Sequence, residues 1–335
     1  MTDLRLNHFW WFRYKIKNVI LNSAFLVLLA FIGCTSSEGE MKSESNDEVN
    51  AMSRIAFVSK RDGNWEIYVM NADGSSKKNI TNNEALDSHP SWSSKDSRIV
   101  FSSDRDGDRE IFVVDSDGSN IEQLTDNQYT DHMPAWSPDG SKIAFVSDRE
   151  DRPTLWVMES DGSNPVNLTP KQVNIRWPAW SPDSTRIVYE HNSAIHVIEY
   201  TGDNVKRIVR DRKDIDGFFV GWPDWRPDGH KIAVTMRYGL RGAPPSVYFL
   251  DPDGENMRPL RRKPGTLTEE RPTYSPDGKY IGFSSYGEGN ESDIFIAEIG
   301  KNTRIKLTDD PALDGFPSWE KTGFVPDYSL LTISE

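Results

Sequence analysis

Cysteine is nearly missing from this chain. Cys34 stands alone among 335 residues, so no disulfide within the molecule can staple its fold. Basic residues are scarce too: after residue 33 the sequence holds 35 Lys and Arg against 51 Asp and Glu, a balance of −16. Non-specific binding to nucleic acid needs a basic face, and this balance argues against one. The plainest use of the acidic excess is solubility. Long apolar runs are also lacking. The most apolar stretch, Val19–Gly33, has 15 residues, short of the roughly 20 that span a membrane. No nucleophile elbow is evident, since Gly282-Phe-Ser-Ser-Tyr-Gly287 does not read G-x-S-x-G and lies on a predicted strand. The chain is instead rich in aromatics and turn formers. Its 11 Trp, 15 Phe and 11 Tyr, with 23 Gly and 20 Pro, suit an all-β protein with many turns.

Residues 1–18 are basic and aromatic, and Val19–Gly33 suits the core of a signal peptide. That run closes on Phe31-Ile32-Gly33-Cys34, which resembles a bacterial lipobox, although Phe31 stands where Leu is usual. The resemblance implies a signal peptide over residues 1–33 and a lipid anchor on Cys34. An uncleaved anchor is the other reading, and either one tethers the protein to a membrane outside the cytoplasm. Thr35 stands where lipoproteins kept at the inner membrane typically carry Asp. The resemblance therefore points to the outer membrane, facing the periplasm or the cell surface. Residues 34–52 are Ser-, Glu- and Asn-rich and read as a disordered tether.

From residue 53 the sequence repeats. The best copy runs Met133-Pro-Ala-Trp-Ser-Pro-Asp-Gly-Ser-Lys-Ile-Ala-Phe-Val-Ser147. Pro138 presets φ for a turn, Asp139 suits the next position and Gly140 accepts a left-handed backbone. This predicts a three-residue hairpin connection between a strand ending at Trp136 and another over Lys142–Val146. The aromatic anchor recurs at Trp92, Trp136, Trp180, Trp225, Tyr274 and Trp319, and the apolar residue that follows at Ile55, Ile99, Ile143, Ile187, Ile232 and Ile281. Each period adds an acidic Gly-containing loop such as Arg105-Asp106-Gly107 and a second apolar strand such as Glu110–Val114. An Asp-Gly turn such as Asp117-Gly118 and a weak strand ending at Leu124-Thr125 complete it. Four antiparallel strands in about 45 residues is the size of a propeller blade. Apolar neighbours such as Ile143, Ala144, Phe145 and Val146 suit a sheet buried on both faces. The first period lacks its Trp strand and the last stops just after it. Phe316–Glu320 is therefore expected to complete the blade begun by Arg54–Val58, closing a ring of six.

Trp-Ser-Pro-Asp-Gly, Arg-Asp-Gly, Tyr-Val-Met-Asn-Ala-Asp-Gly and Leu-Thr resemble the repeats of the TolB family. The resemblance implies an all-β, six-bladed, WD-repeat-like propeller over residues 53–322, followed by a tail over 323–335. In TolB an α/β domain precedes the propeller, whereas here only the tether does. Contacts with the Tol–Pal system are therefore not carried over, and no TolB functional residue falls on a distinctive motif.

The part of each repeat that varies most precedes the recurring Pro. It reads Asp87-Ser88-His89, Asp131-His132-Met133, Ile175-Arg176-Trp177, Val220-Gly221-Trp222, Glu269-Glu270-Arg271 and Asp314-Gly315-Phe316. A constant framework with divergent loops is how a scaffold carries a site. His89, His132, Arg176, Trp177, Trp222, Glu270, Arg271 and Phe316 are thus candidate ligands of a channel mouth. The aromatics suit a sugar or an apolar side chain, and the basic groups suit an anion. The bland alternative is that they only cap and fill the channel end. His89 and His132 with a carboxylate could bind a divalent ion, but the other histidines fall elsewhere in the repeat, so no metal is assigned. Asp104-Arg-Asp-Gly-Asp108 resembles a calcium loop only superficially and reads as a repeat turn. Arg210–Phe218 and Met236–Pro245 break the repeat and are candidate partner contacts.

The sequence thus reads as a monomeric, non-enzymatic binding module of the bacterial envelope, without a cofactor. It would hold an envelope protein, or a peptide or saccharide ligand, at the channel mouth. The alternative is a channel-site enzyme of the oligogalacturonate-lyase type acting on acidic oligosaccharides.

Overall fold

The computed structural model describes residues 52–212, 214, 216–238, 244–261, 268–286, 291–323, 325, 326 and 328. Cys34, the signal peptide and the tether lie outside the described residues. Strand β8 (Asp131–Trp136) and strand β9 (Lys142–Ser147) pair antiparallel with Trp136 opposite Ile143, as the hairpin motif requires. The connection is longer than the three residues expected. Ser137 N–H donates to the Lys142 carbonyl at 2.8 Å, so four residues, Pro138 to Ser141, make the loop. The Ser137 hydroxyl accepts the Lys142 N–H at 2.9 Å and itself donates to Asp139. These side-chain bonds hold the wider turn, with Gly140 at φ 68°.

Among the described residues, twenty-four strands make six four-stranded antiparallel sheets. Alternate residues of one strand serve two different cores. On β9, Ile143 and Phe145 join residues of the preceding blade (Val100, Ile111, Val113), while Ala144 and Val146 join the following one (Ile175, Trp180, Ile187). The period of two along a strand is therefore a period of two blades around the ring. The anchor aromatics lie between blades as well. Arg54, Arg98 and Arg186 each lay a guanidinium over the Trp of the next blade, at 4.8, 5.3 and 5.0 Å from Trp92, Trp136 and Trp225.

The smaller repeat motifs are structural. In Leu-Thr, the Thr81, Thr125, Thr169 and Thr308 hydroxyls accept the N–H of Ile67, Ile111, Leu155 and Ile294 at 2.8–3.0 Å, pinning the short outer strand to its neighbour. Thr81 and Thr125 also donate to the buried carboxylates of Glu66 and Glu110. Burial pushes Glu110 up to about 7 against these hydrogen bonds. The arginines of the acidic loops, Arg61, Arg105 and Arg149, reach fully buried Asp314, Asp87 and Asp131 at 2.9, 3.1 and 2.6 Å. The Arg-Asp-Gly turn is thus a brace within its own blade.

Strand β24 (Asp314–Trp319) pairs with β1 (Arg54–Ser59), so chain end and chain start share a blade. Trp319 is fully buried and its indole N–H donates to Ser53 Oγ at 2.9 Å. Arg54 and Glu320 pair at 2.8 Å across the same seam. Beyond residue 322, Tyr328 is buried against Tyr280 and donates to the Ala72 carbonyl at 2.6 Å. This part of the expected tail packs into the core.

Candidate functional site

Every innermost strand carries the same irregularity. Its register slips between Ser88 and Ser91, His132 and Ala135, Arg176 and Ala179, Gly221 and Asp224, and Glu270 and Thr273, and the sixth slip lies opposite Ala56 and Val58. Two residues there oppose one, which is a bulge, and the second of the two is always Pro, which has no N–H to lose. The residue before it is His89, Met133, Trp177, Trp222, Arg271 or Phe316, with φ between 49° and 57°. Such a backbone costs of order 1–3 kcal/mol at a bulky residue. Because it recurs whatever the side chain, that cost belongs to blade geometry. The bulge brings one residue per blade to the axis and leaves its chemistry free to vary.

The six residues line one channel cavity of about 190 Å³. They also pack on one another. Trp177 and Trp222 rings lie 4.5 Å apart, and Phe219 lies 4.9 Å from Trp222. The Arg271 guanidinium carbon is 5.0 Å from the Trp222 ring and 3.8 Å from the Phe316 ring. Phe316 meets His89 edge-on at 4.8 Å, and Trp177 N–H approaches Met133 Sδ at 3.4 Å. This near-continuous stack is the constriction of the channel.

Burial pushes His89 well below the ordinary imidazole range, helped by His132, Arg109 and Arg271. Burial, then Arg109, pushes His132 down to about 4. Both imidazoles are therefore neutral at neutral pH, and Arg271 carries the charge of the ring. Among the described residues no group of three or more His, Cys, Asp and Glu could hold a metal ion.

The eight residues singled out from sequence fall into two tiers. His89, Trp177, Trp222, Arg271 and Phe316 belong to the ring. His132, Arg176 and Glu270 precede it by one residue, opposite Val146, Glu190 and Ser284 on the second strand. Arg176 is exposed and lies over the Trp177 ring at 5.7 Å. Glu270 joins Phe219, Trp222, Arg237 and Pro245 around a second hollow of about 170 Å³. The sixth ring member is Met133, the last residue of its triplet, marked in the sequence by its place before Pro134. The two repeat-breaking segments meet at Tyr238, which Arg212 and Phe218 approach at 5.9 and 6.5 Å.

Sequence reasoning also missed the inner wall of the cavity. Half-buried Asp224 accepts the Tyr274 N–H at 2.8 Å and faces Lys321 at 3.6 Å. Ser91 and Thr273 accept the N–H of Trp136 and Trp319 from the same place in their blades. Burial raises the Asp224 carboxyl against Lys321. Lys321 follows the last Trp strand where other repeats carry Pro or Ser, and that substitution was the available signal.

Residues 50–125, 105–208 and 154–291 match the TolB beta propeller domain family. The Tol-Pal system protein TolB of Anaeromyxobacter dehalogenans (strain 2CP-C) is 36% identical over 97 residues, which is 29% of this chain and 21% of that protein. The chain thus spans about a fifth of that curated relative. Crystalline TolB from Acinetobacter baumannii superposes with a TM-score of 0.68 at 20% identity, over 80% of this chain and 66% of that one. An oligogalacturonate lyase in complex with manganese superposes with a TM-score of 0.54 at 16% identity, over 77% and 75% of the two chains. These two likenesses speak for the fold alone, whereas the matched family model spans most of the repeats: the chain belongs to the TolB β-propeller family.

Proposed function

We propose that this propeller is a non-enzymatic binding module of the bacterial envelope that takes a segment of a partner protein at the mouth of its channel. One observation carries the reading. Six blades repeat their turns and anchor aromatics, yet the single residue each bulge brings to the axis changes from His to Met, Trp, Arg and Phe. A scaffold that holds its frame constant and varies one ring has its specificity in that ring. Trp177, Trp222 and Phe219 supply rigid aromatic surface there, the kind that anchors bound side chains. Exposed Tyr238 stands 6.5 Å from Phe218, beside the start of the innermost strand that carries Trp222. The name Tol-Pal system protein borne by the TolB relative supports an envelope setting. A photo-crosslinking side chain at Tyr238 in intact cells is expected to give one discrete protein adduct. The same group at exposed Ile121, on the outer part of a blade, is expected to give none. Equal labelling from both positions, or none from either, defeats the proposal.

The setting includes a membrane. Residues 1–33 act as a lipoprotein signal peptide in this reading, and acylated Cys34 holds a monomeric propeller at the outer membrane through the tether of residues 34–52. Labelled palmitate is expected to incorporate into the wild-type chain and not into Cys34→Ala; incorporation into the variant rules the anchor out.

A further inference from the structure

Arg271 differs from the arginines of the acidic loops. Arg61, Arg105 and Arg149 are each neutralised by a buried aspartate of their own blade. Arg271 makes no ion pair with any described carboxylate, and its one side-chain hydrogen bond to a described residue is a long one, 3.5 Å to the Tyr286 hydroxyl. Among the described residues its Nε–H is buried without a partner. Leaving a cation so poorly paired in a partly dry channel is costly. The bulge common to all six blades brings it to the axis, at φ 57°.

The surroundings also restrict what Arg271 can do. Phe316 lies 3.8 Å and Trp222 5.0 Å from its guanidinium carbon, so the group sits against two aromatic rings, and at 3.8 Å a guanidinium fits best with its flat face to the ring. All five donors of a guanidinium lie in its plane, and rings against the face leave the edge for an acceptor. A planar fork held by stacking matches a carboxylate in two parallel hydrogen bonds. A cavity of about 190 Å³ has room for a carboxylate-bearing side chain, or a chain end, and not for a folded surface.

We infer that Arg271 is a carboxylate-binding residue, and that the ligand of the channel presents a carboxylate to its guanidinium edge between Trp222 and Phe316. The inference rests on the binding reading above and names the chemistry of its ligand. The carboxylate belongs to an acidic side chain or a C-terminus of a protein segment, or to a uronate sugar, and the test separates these sources.

The test titrates the full-length protein in detergent with four probes, read by tryptophan fluorescence and calorimetry. The probes are Ac-Gly-Glu-Gly-NH2, its Gln counterpart, triglycine with a free C-terminus, and digalacturonate. At least one carboxylate probe is expected to bind tenfold or more tightly than the Gln peptide. Arg271→Gln is expected to erase that difference. Arg271→Lys, which keeps the charge and loses the fork, is expected to fall between. Preference for a peptide carboxylate assigns the site to a protein segment. Preference for digalacturonate keeps the Arg271 site and overturns the protein-segment reading. Equal binding of the Glu and Gln peptides without binding of the other carboxylates, or undiminished preference in a folded Arg271→Gln, overturns the inference. An adduct at Tyr238 that persists in such a case leaves the envelope-binding proposal standing.

Discussion

A chain ending at Leu313 is expected to fail to fold into a soluble monomer. The missing segment supplies the innermost strand of the first blade, so its loss uncovers the edge of β1 with Ile55, Ala56, Phe57 and Val58, all essentially fully buried in the intact ring. An open apolar edge pairs with other chains. The same truncation leaves Arg61 without Asp314 and Arg54 without Glu320. It also removes Trp319, which fills the core between the last and first blades beside Ile55, Phe57 and Trp319's neighbours Ile294 and Ile296. Trp319→Ala, the milder test, is expected to cost about 3–5 kcal/mol, the usual range for emptying a large aromatic site. Size-exclusion chromatography and thermal melting report both effects. A stable, monomeric truncated chain would show that the ring does not depend on this closure.

The second large effect concerns the glycine turns before the outer strands, which are Asp-Gly in four blades, Thr201-Gly202 in the fourth and Ile299-Gly300 in the last. Each turn but the last abuts the carbonyl of a residue ending the preceding blade's outer strand. A Cβ added at Gly162 would meet Leu124 O at 2.5 Å, and one at Gly254 would meet Ile208 O at 2.0 Å. At Gly300 the same atom meets nothing within 4 Å, although φ is +93° there and +95° at Gly254. Gly300→Ala therefore isolates the backbone penalty, about 1–2 kcal/mol. Gly254→Ala adds a collision with main chain, which moves only if two blades part, and overpacking of that kind adds about 1–3 kcal/mol or more. At roughly 2–4 °C per kcal/mol for chains of 150–250 residues, the melting temperatures of the two variants should differ by several degrees. Equal losses would mean that the turns do not lock neighbouring blades.

Much of this was legible because a propeller writes its geometry once per blade. The anchor aromatics and the Ile-x-Phe strands gave strand order, and the missing first and surplus last Trp strands gave closure. What stayed hidden was side-chain reach. Leu-Thr marks the end of a weak strand in sequence, yet nothing local says that Thr125 Oγ1 accepts Ile111 N–H across the hairpin. Arg105-Asp106-Gly107 reads as a turn, and its brace to Asp87 joins residues 18 apart. The variable triplets mark where the innermost strands bulge toward the axis, but the direction of each side chain depends on a pairing register that the sequence does not show. Hence the sequence does not tell which of His132 and Met133 faces the axis, and nothing in it joins Asp224 to Lys321 on the inner wall. Tyr328 was assigned to a tail because no repeat copy precedes it for comparison.

The central claim is that binding resides in the ring and stability in the frame around it. The most direct measurement is the yield of the Tyr238 crosslinked adduct in the double variant Trp177→Ala/Trp222→Ala, with its melting curve recorded beside that of the parent. The expected result is a propeller that still melts in a cooperative transition and has lost the adduct. An adduct of undiminished yield from the folded variant would contradict the assignment of binding to the channel ring.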